Sequence, residues 1–286
     1  MEQDSKSPIP VLILFGPTAS GKTGILLRLF GSASAWSGRA EIVSADSMQV
    51  YRGMDIGTAK PSAEEQAQLP HHLIDIRNPD EQFNAGDFVR LADAACADIA
   101  RRGKLPVISG GTGFYLKNFI LGLPEAPPSD SVIRARLREE LQEQGAQALM
   151  EELARCDPLS AEKIHINDEY RLLRALEVLR LSGKPLSSFQ SAASSADRPH
   201  YQFLIIGLSR PRDELYRRIN LRCAAMFRQG LPDEVRRLYD AGYSPRDPGL
   251  RAIGYREFFV EDILAASGKN SPVYRLSQDF SGVEQL

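Results

Sequence analysis

The sequence predicts an α/β fold, with a mainly parallel sheet flanked by helices and interrupted by an all-helical insertion. Three observations support this expectation. A short apolar run, PVLILF (10–15), leads directly into a glycine-rich loop and then into a helix-like segment. Strand-like and helix-like segments then alternate as far as residue 113. From 114 to 193 only helix-like segments follow, and a strand-like run returns at 201–209.

Five short apolar runs are predicted to be strands. They are 10–15, 40–46, 71–76, 105–113 and 201–209. The first is apolar throughout, as expected of a strand that is buried in a parallel sheet. The second ends at Asp46, and the fourth runs into a second glycine-rich turn, GGTG (110–113).

Helical periodicity predicts the remaining elements. GILLRLF (24–30) opens the first helix, and the segment 88–103 stops at Gly103, a residue type common just after a helix. Two amphipathic helices are expected around 211–241 and 250–267.

We expect two domains in this chain of 286 residues. The sheet-containing core comprises 1–113 and 200–286, and the helical insertion comprises 114–199. No apolar run reaches the ~18 residues of a membrane span. The N-terminus, MEQDSKSPIP, lacks the apolar stretch of a signal peptide, so we expect a cytoplasmic protein without membrane contact.

Cysteine spacing and charge exclude some functions. Cys96, Cys156 and Cys223 have no CxxC spacing, so neither a disulfide framework nor a zinc site is expected. The net charge of −2 argues against a protein that coats nucleic acid nonspecifically. Residues 210–256 nevertheless hold eleven arginines against six acidic residues, which is compatible with a polyanion docking at one place. Ordinary ion pairs on solvated helices are the alternative for any one of these arginines.

The first glycine-rich loop has the pattern Gly16-x-x-x-x-Gly21-Lys22-Thr23. Between a strand and a helix this pattern predicts a phosphate-binding loop, because backbone N–H groups and the helix N-terminus can face phosphate oxygens. Lys22 adds a positive charge, and the Thr23 hydroxyl can ligate Mg²⁺. The pattern indicates a phosphate or diphosphate but does not identify the molecule that carries it.

Two further stretches lie at strand ends, where open α/β sheets bind ligands. Asp46 could serve Mg²⁺ in a nucleotide hydrolase, take a proton from the acceptor in a transferase, or only cap the turn SADSMQ. The GGTG turn places the Thr112 hydroxyl near the same crevice, and a tight turn without function is the alternative there.

Seven stretches, in order, resemble the tRNA dimethylallyltransferases, also called tRNA isopentenyltransferases. They are GPTASGKT, SADSMQVYRGMDIGTAKP, PHHLIDIRNPDEQFNAGDF, ISGGTGFYL, IHINDEYRLLRALEVLRLSGKP, FRQGLPDEVRRL and LRAIGYREF. The resemblance runs from about residue 10 to 260, nearly the whole chain. It implies a sheet of the P-loop NTPase type, with the insertion as a tRNA-binding domain.

This family transfers a dimethylallyl group from dimethylallyl diphosphate to the exocyclic amine of the adenosine just 3′ of the anticodon in tRNA. The resemblance implies that the glycine-rich loop holds the donor diphosphate rather than the tail of ATP. The loop residues are Gly16, Pro17, Thr18, Ala19, Ser20, Gly21, Lys22 and Thr23. It assigns Asp46 as general base, Lys22 and Arg222 to the leaving diphosphate, Thr112 to a position near the amine, and Mg²⁺ at Thr23 as cofactor.

The resemblance also implies contacts with the anticodon stem-loop of tRNA, whose acceptor base must be flipped out. The corresponding positions are Asp46, Ser47, Met48, Gln49, Thr112, Tyr170, Arg171, Leu172, Leu173, Arg174, Arg251, Ala252, Ile253, Gly254, Tyr255 and Arg256. Arg134 in the insertion is a further candidate. Leu172 and Leu173 also have helix-core spacing, for which packing is the alternative. We expect a monomer that binds tRNA and dimethylallyl diphosphate.

The end of the sequence departs from the family. The family usually continues with a basic helical segment, whereas this sequence ends at DFSGVEQL. If that segment helps to bind diphosphate or tRNA, weaker activity is expected. The zinc-finger tail of some eukaryotic relatives is also missing, which favours a bacterial-type enzyme.

Three alternatives follow from the same residues. An adenylate isopentenyltransferase would use the same donor with free AMP, ADP or ATP, but the insertion and RAIGYR (251–256) favour tRNA. A small-molecule kinase would hold ATP in the loop and activate a hydroxyl with Asp46. A tRNA-binding module with an inactive site is disfavoured by the intact Lys22, Thr23, Asp46 and Thr112, although the short C-terminus keeps this alternative open.

Overall fold

A computed structural model describes residues 7–123, 126–189, 198–262 and 273–277. The strands of its main sheet are β1 (Ile9–Phe15), β2 (Ala40–Ser44), β3 (His71–His72), β4 (Leu105–Gly110) and β5 (Tyr201–Gly207). All pair in parallel, in the order β3-β2-β4-β1-β5. Helices connect these strands, so the predicted α/β fold is confirmed.

Helices fill the connections and the insertion. Among the described residues they are α1 (Lys22–Phe30), α2 (Ala63–Gln68), α3 (Ala85–Arg101), α4 (Gly113–Leu121), α5 (Ser131–Cys156), α6 (Pro158–Lys163), α7 (Glu169–Ser182), α8 (Arg212–Arg228) and α9 (Leu231–Asp240). The helix expected at 88–103 begins earlier because Asn84 and Asp87 form a capping box at its start. In α5 the backbone leaves the helical range at Gly145, where φ is 80°.

β3 is much shorter than the strand predicted at 71–76. It ends after His72 because Leu73 and Asp75 have positive φ angles of 64° and 56°. This left-handed backbone cannot continue a strand ladder. Leu73 is still only 6% exposed, so the apolar pattern of HHLIDI reports burial rather than strand length.

The helix predicted around 211–241 is two helices. Gly230, with a φ of 95°, precedes α9 and separates it from α8. A residue with a side chain would be strained in that conformation, so the break depends on glycine.

The helix predicted at 250–267 is wrong for its described part. Residues 249–251 and 256–258 form single 3₁₀ turns, and Gly254 between them has a φ of 89°. A short strand, β6 (Phe259–Glu261), then pairs antiparallel with β7 (Tyr274–Leu276). The remaining positions, 263–267, lie outside the described residues.

The chain divides into two compact units, and the second runs from Ile120 to Arg198. It begins later than residue 114, the expected boundary, because the start of α4 packs in the first unit. There the Tyr115 ring stacks on Phe88 with 4.9 Å between centroids. The second unit has its own core, formed by Leu137, Leu149, Leu153, Leu172, Leu173, Ala175 and Leu176. Within the described ranges, no helix is both long and apolar enough to cross a membrane.

A buried carboxylate stabilises the amino ends of β2 and β4. Glu41 is 3% exposed and accepts hydrogen bonds from Arg102, from Lys104 Nζ at 2.8 Å and from His72 Nε2 at 2.7 Å. The hydrogen bonds from Arg102, and after them those from Lys104 and His72, outweigh burial and hold the pKa of Glu41 well below its usual range.

We expect Glu41→Gln to lower the free energy of unfolding by about 1.5–3 kcal/mol near pH 7, the usual range for hydrogen bonds to charged groups. Because the folded pKa of Glu41 lies below the unfolded value of about 4.3, its stabilisation is present above that pH and is lost on further acidification. Urea unfolding at pH 7 and pH 3 tests this. A variant as stable as wild type at pH 7 would contradict it.

Candidate functional site

Three functional stretches meet at one edge of the sheet. β1, β4 and β2 are neighbours, and the phosphate-binding loop, the GGTG turn and Asp46 follow their carboxyl ends. A cleft of about 350 Å³ opens there in the first unit. Its polar lining includes Lys22, Thr23, Asp46, Gln49 and Arg222, and its apolar lining includes Leu26, Leu27, Ile42 and Leu69.

The phosphate-binding loop has the backbone that an anion site requires. Ala19 and Gly21 have positive φ angles of 64° and 102°, and α1 begins immediately after Gly21. A Cβ on Gly16 would lie 2.9 Å from the Leu208 carbonyl oxygen, so that approach requires glycine. Lys22 Nζ donates to the carbonyl oxygens of Gly16 at 2.8 Å and Pro17 at 3.0 Å. The loop therefore directs a cation and the amino end of a helix at the cleft.

Asp46 uses one carboxylate oxygen to hold its turn. Oδ1 accepts the backbone N–H groups of Met48 at 2.8 Å and Gln49 at 3.2 Å. Among the described residues, Oδ2 makes no hydrogen bond. The capping role considered from the sequence is thus real, and it leaves the second oxygen available as a proton acceptor in the cleft.

Thr112 joins the ends of β4 and β2 rather than lining the cleft. Its Oγ1 accepts the N–H of Ser47 at 3.1 Å, and its own N–H donates to the Ala45 carbonyl at 3.2 Å. A Cβ on Gly110 would lie 2.1 Å from that same carbonyl oxygen. The close approach of Gly110 to Ala45 brings the GGTG turn against the end of β2. Thr112 then positions the turn that follows Asp46 through its hydrogen bond with Ser47.

α8 contributes two arginines to the cleft, of which only Arg222 was predicted. Arg218 lies four residues earlier, on the same helix face, and also lines the cleft. Its Nη1 is buried and makes no hydrogen bond within the described residues, although Glu214 Oε1 lies 3.7 Å away. The i, i+4 spacing of arginines was the available sequence signal.

The cleft concentrates positive charge around a single carboxylate. Burial lowers the pKa of Lys22. The negative charge of Asp46 opposes this lowering, and the positive charge of Arg222 adds to it. Burial likewise lowers the pKa of Arg222, again opposed by Asp46. Two partly desolvated cations near each other favour an anion between them.

In the second unit, two residues predicted to contact tRNA are well exposed, Tyr170 and Arg171. Leu172 and Leu173 are 0% and 4% exposed in the core of the unit, so their side chains pack as the alternative expected. Their helix-core spacing reflects packing.

The two other arginines predicted in this unit bind a buried carboxylate. Arg134 is 9% exposed and donates to Glu177 Oε2 at 2.8 Å, and Arg174 Nη1 donates to the same oxygen at 2.9 Å. The Arg134 guanidinium also lies over the Tyr170 ring, 4.7 Å from its centroid. In this buried position the Arg134 side chain supports Glu177 and Tyr170.

The segment 251–256 alternates in exposure. Arg251, Ile253 and Arg256 are exposed, while Ala252 and Gly254 are partly buried. Tyr255, which the resemblance places against tRNA, is 0% exposed and donates its hydroxyl to Glu234 Oε1 at 2.6 Å, so its side chain packs inside the first unit.

The residues at the loop fit a Mg²⁺ ion held mainly by a bound diphosphate. Mg²⁺ commonly takes one or two protein oxygens and completes its octahedron with water and substrate phosphates. Thr23 offers a hydroxyl to the cleft. Within the part of the chain that the structure describes, no three His, Cys, Asp or Glu side chains form a metal cluster.

Comparisons with known proteins agree on one family. A model of the IPP transferase family matches residues 49–269. A Geobacter sulfurreducens protein named tRNA dimethylallyltransferase is 49% identical over 257 residues, which are 90% of this chain and 81% of that relative.

Solved structures give the same result. The full-length tRNA isopentenylpyrophosphate transferase of Bacillus halodurans is 40% identical with a TM-score of 0.56, covering 87% of this chain and 76% of that one. A eukaryotic dimethylallyltransferase acting on tRNA is 27% identical with a TM-score of 0.74, covering 87% of this chain and 62% of that one.

Proposed function

The chain belongs to the IPP transferase family, and on that premise we propose that it transfers a dimethylallyl group to tRNA. The donor is dimethylallyl diphosphate, the acceptor is the exocyclic amine of the adenosine 3′-adjacent to the anticodon, and diphosphate leaves. One observation carries this proposal: Lys22, Arg222 and Asp46 face one cleft at the carboxyl edge of the sheet. This arrangement supports a diphosphate site with a base beside it.

The chemistry follows from these positions. The lone pair of an adenine amine is delocalised into the ring, so the amine is a poor nucleophile. We assign Asp46 Oδ2 to accept its proton as the new N–C bond forms and the C–O bond to diphosphate breaks. The electron pair of that C–O bond leaves with the diphosphate, whose added charge Lys22 and Arg222 stabilise.

Thr23 would hold Mg²⁺ at the same anion. When bound, the ion neutralises charge on the departing diphosphate. The chain's own contribution is the geometry: α1 presents its amino end, and Lys22 supplies a fixed charge.

The apolar side of the cleft suits the hydrocarbon part of the donor. Leu27 lines it and is partly buried, and it is backed by Leu26, Ile42 and Leu69, which are 1–3% exposed in the core. Such a wall removes apolar surface from water. It also keeps water from the allylic carbon, where hydrolysis would compete with transfer.

We propose that tRNA contacts Tyr170 and Arg171, which are exposed in the second unit. In the first unit we propose contacts with the exposed Arg251 and Arg256 and with the partly buried Ser47 and Met48. The anticodon loop is the part of tRNA whose bases can be splayed out for such a site. The arginine excess of 210–256 provides the matching charge.

We expect Arg251→Gln and Arg256→Gln each to weaken tRNA binding and to reduce the slope of log Kd against log salt by about one, as loss of one phosphate contact would. Filter binding over a salt series measures this. Arg90→Gln is the control, because Arg90 is equally exposed but lies on α3 in an acidic region. Slopes equal to wild type for both variants would contradict the assignment.

Mass spectrometry of digested tRNA tests the function. Incubation with dimethylallyl diphosphate should add a five-carbon unit to the adenosine beside the anticodon. A matched transcript with guanosine at that position should remain unmodified. Modification of both transcripts, or of neither, would refute the proposed acceptor.

A further inference from the structure

We propose that Glu234 is a positioning residue, which holds the loop 55–59 so that Gln49 and Arg222 are oriented in the cleft. Through Tyr255 it also ties the segment 251–256 to that loop. The inference rests on the proposed function for the role of the cleft as a diphosphate site. The contacts of Glu234 are made without any substrate.

Glu234 lies in α9, is 1% exposed and binds three consecutive backbone N–H groups. Oε2 accepts those of Asp55 at 2.9 Å and Ile56 at 2.8 Å, and Oε1 accepts that of Gly57 at 3.2 Å. Consecutive N–H groups that converge on one carboxylate form an anion-binding concavity, here filled from within the chain. The conformation of this loop therefore depends on the charge and shape of the Glu234 side chain.

Tyr255 supplies the fourth hydrogen bond. Its hydroxyl lies 2.6 Å from Glu234 Oε1, and a Cβ on Gly57 would fall 2.5 Å from the Tyr255 ring. Burial, together with the neighbouring Glu234 charge, raises the pKa of Tyr255 well above its usual range, so the hydroxyl stays protonated and donates. The exposed arginines on either side of Tyr255 are thereby anchored to the loop.

The next residues of the loop reach the cleft. The carbonyl oxygens of Thr58 and Ala59 each lie 3.3 Å from Gln49 Nε2, and that of Thr58 lies 3.5 Å from Arg222 Nη2. Ala59 has a φ of 45°, a left-handed conformation that must be held by its surroundings. Lys60, 4% exposed, fixes the far end through Asp55 and Asp75.

A continuous set of contacts, referred to below as the route, thus connects the segment 251–256 with Arg222. It passes through Glu234 and the loop 55–59. A glutamine at 234 would turn an N–H donor toward backbone N–H donors, so one side of the concavity would open. The Thr58 and Ala59 carbonyls would then lose their fixed positions. Arg222 and Gln49 would be less ordered before an anion binds.

Three variants test the proposal: Glu234→Gln, Tyr255→Phe and the matched control Tyr201→Phe. Tyr201 is 8% exposed, and its hydroxyl lies 2.9 Å from a carboxylate oxygen of Asp93. It starts β5, at the end of the sheet away from the cleft. The control therefore removes a similar buried hydroxyl without touching the route.

The first measurement is calorimetric binding of inorganic pyrophosphate with Mg²⁺, at a temperature at which every protein compared is folded. We expect Kd to rise about tenfold for Glu234→Gln and about threefold for Tyr255→Phe, and to stay within about twofold for Tyr201→Phe. This readout needs no transfer reaction, so it decides even if the proposed function fails. Affinities equal to wild type in both test variants would overturn the proposal.

The second measurement combines each change with Arg222→Lys in a double-mutant cycle on kcat. The fold-loss in kcat of the Glu234→Gln, Arg222→Lys double variant should be smaller than the product of the two single fold-losses. For Tyr201→Phe with Arg222→Lys, the fold-loss of the double variant should equal that product. If the fold-losses in kcat of Glu234→Gln and Arg222→Lys multiply fully, Glu234 does not act through Arg222 and its role is purely structural, which would overturn the proposal. If Glu234→Gln does not fold, Tyr255→Phe carries both comparisons with the same two outcomes.

Discussion

Asp46→Asn should slow dimethylallyl transfer by about 10²–10⁴-fold while leaving tRNA affinity within several-fold of wild type. The amide cannot accept the amine proton at the position of Oδ2. Its oxygen can still accept the N–H groups that Asp46 Oδ1 now accepts, from Met48 at 2.8 Å and Gln49 at 3.2 Å. Single-turnover rates and tRNA binding, measured on one preparation, separate chemistry from binding.

Asp130→Asn is the control for that change. Asp130 Oδ1 accepts the N–H groups of Val132 and Ile133, both at 2.9 Å, in the same i+2, i+3 pattern. It caps the start of α5 in the second unit and is not among the residues that line the cleft. We expect a rate within about twofold of wild type for this variant. Transfer by Asp46→Asn at the same rate as Asp130→Asn would remove Asp46 as the base.

Lys22→Ala should lower kcat/KM for dimethylallyl diphosphate by about 10²–10³-fold, the usual loss when one preorganised donor to a developing charge is removed. Lys22 is the first residue of α1, and burial lowers its pKa because the charged side chain is partly removed from water. An anion beside it would stabilise that charge. Its present partners, the carbonyl oxygens of Gly16 and Pro17, are neutral and leave that charge uncompensated. Initial rates over a donor series measure the loss.

Arg28→Ala serves as the comparison, because Arg28 is an exposed cation in the last turn of the same helix. Its removal should leave kcat/KM within about twofold. An equal loss in both variants would point to general destabilisation of α1. A Lys22→Ala enzyme with wild-type kcat/KM would show that the loop does not hold the leaving diphosphate.

The strands that build the site could be predicted because buried parallel strands are apolar along their length. PVLILF became β1, and AEIVSAD and LPVISGGTG contained β2 and β4. The strand in HHLIDI could not be delimited in the same way, because Leu73 is buried although its own backbone is left-handed. Burial gives the same apolar pattern in a strand and in a packed loop. The breaks at Gly230 and Gly254 also require backbone angles that periodicity does not report.

The phosphate-binding loop and Asp46 could be located because local spacing defines them. Glu234 could not, since its partners lie 177 to 179 residues earlier in the chain and meet it only when α9 packs on the loop 55–57. Tyr255 falls in a motif that suggests tRNA contact and Arg134 is a further candidate in the insertion, yet both are buried against carboxylates. A motif identifies a segment, whereas packing decides which of its side chains face outward.

We propose that the phosphate-binding loop serves an isoprenoid donor rather than ATP. Incubation with carbon-labelled dimethylallyl diphosphate, and separately with γ-phosphate-labelled ATP, tests it when tRNA, AMP and ATP are each offered as acceptor. We predict label on tRNA from the isoprenoid donor alone, with none on AMP or ATP. Label transferred from ATP, or isoprenoid label on the free nucleotides and not on tRNA, would show that the loop does not serve an isoprenoid donor for tRNA.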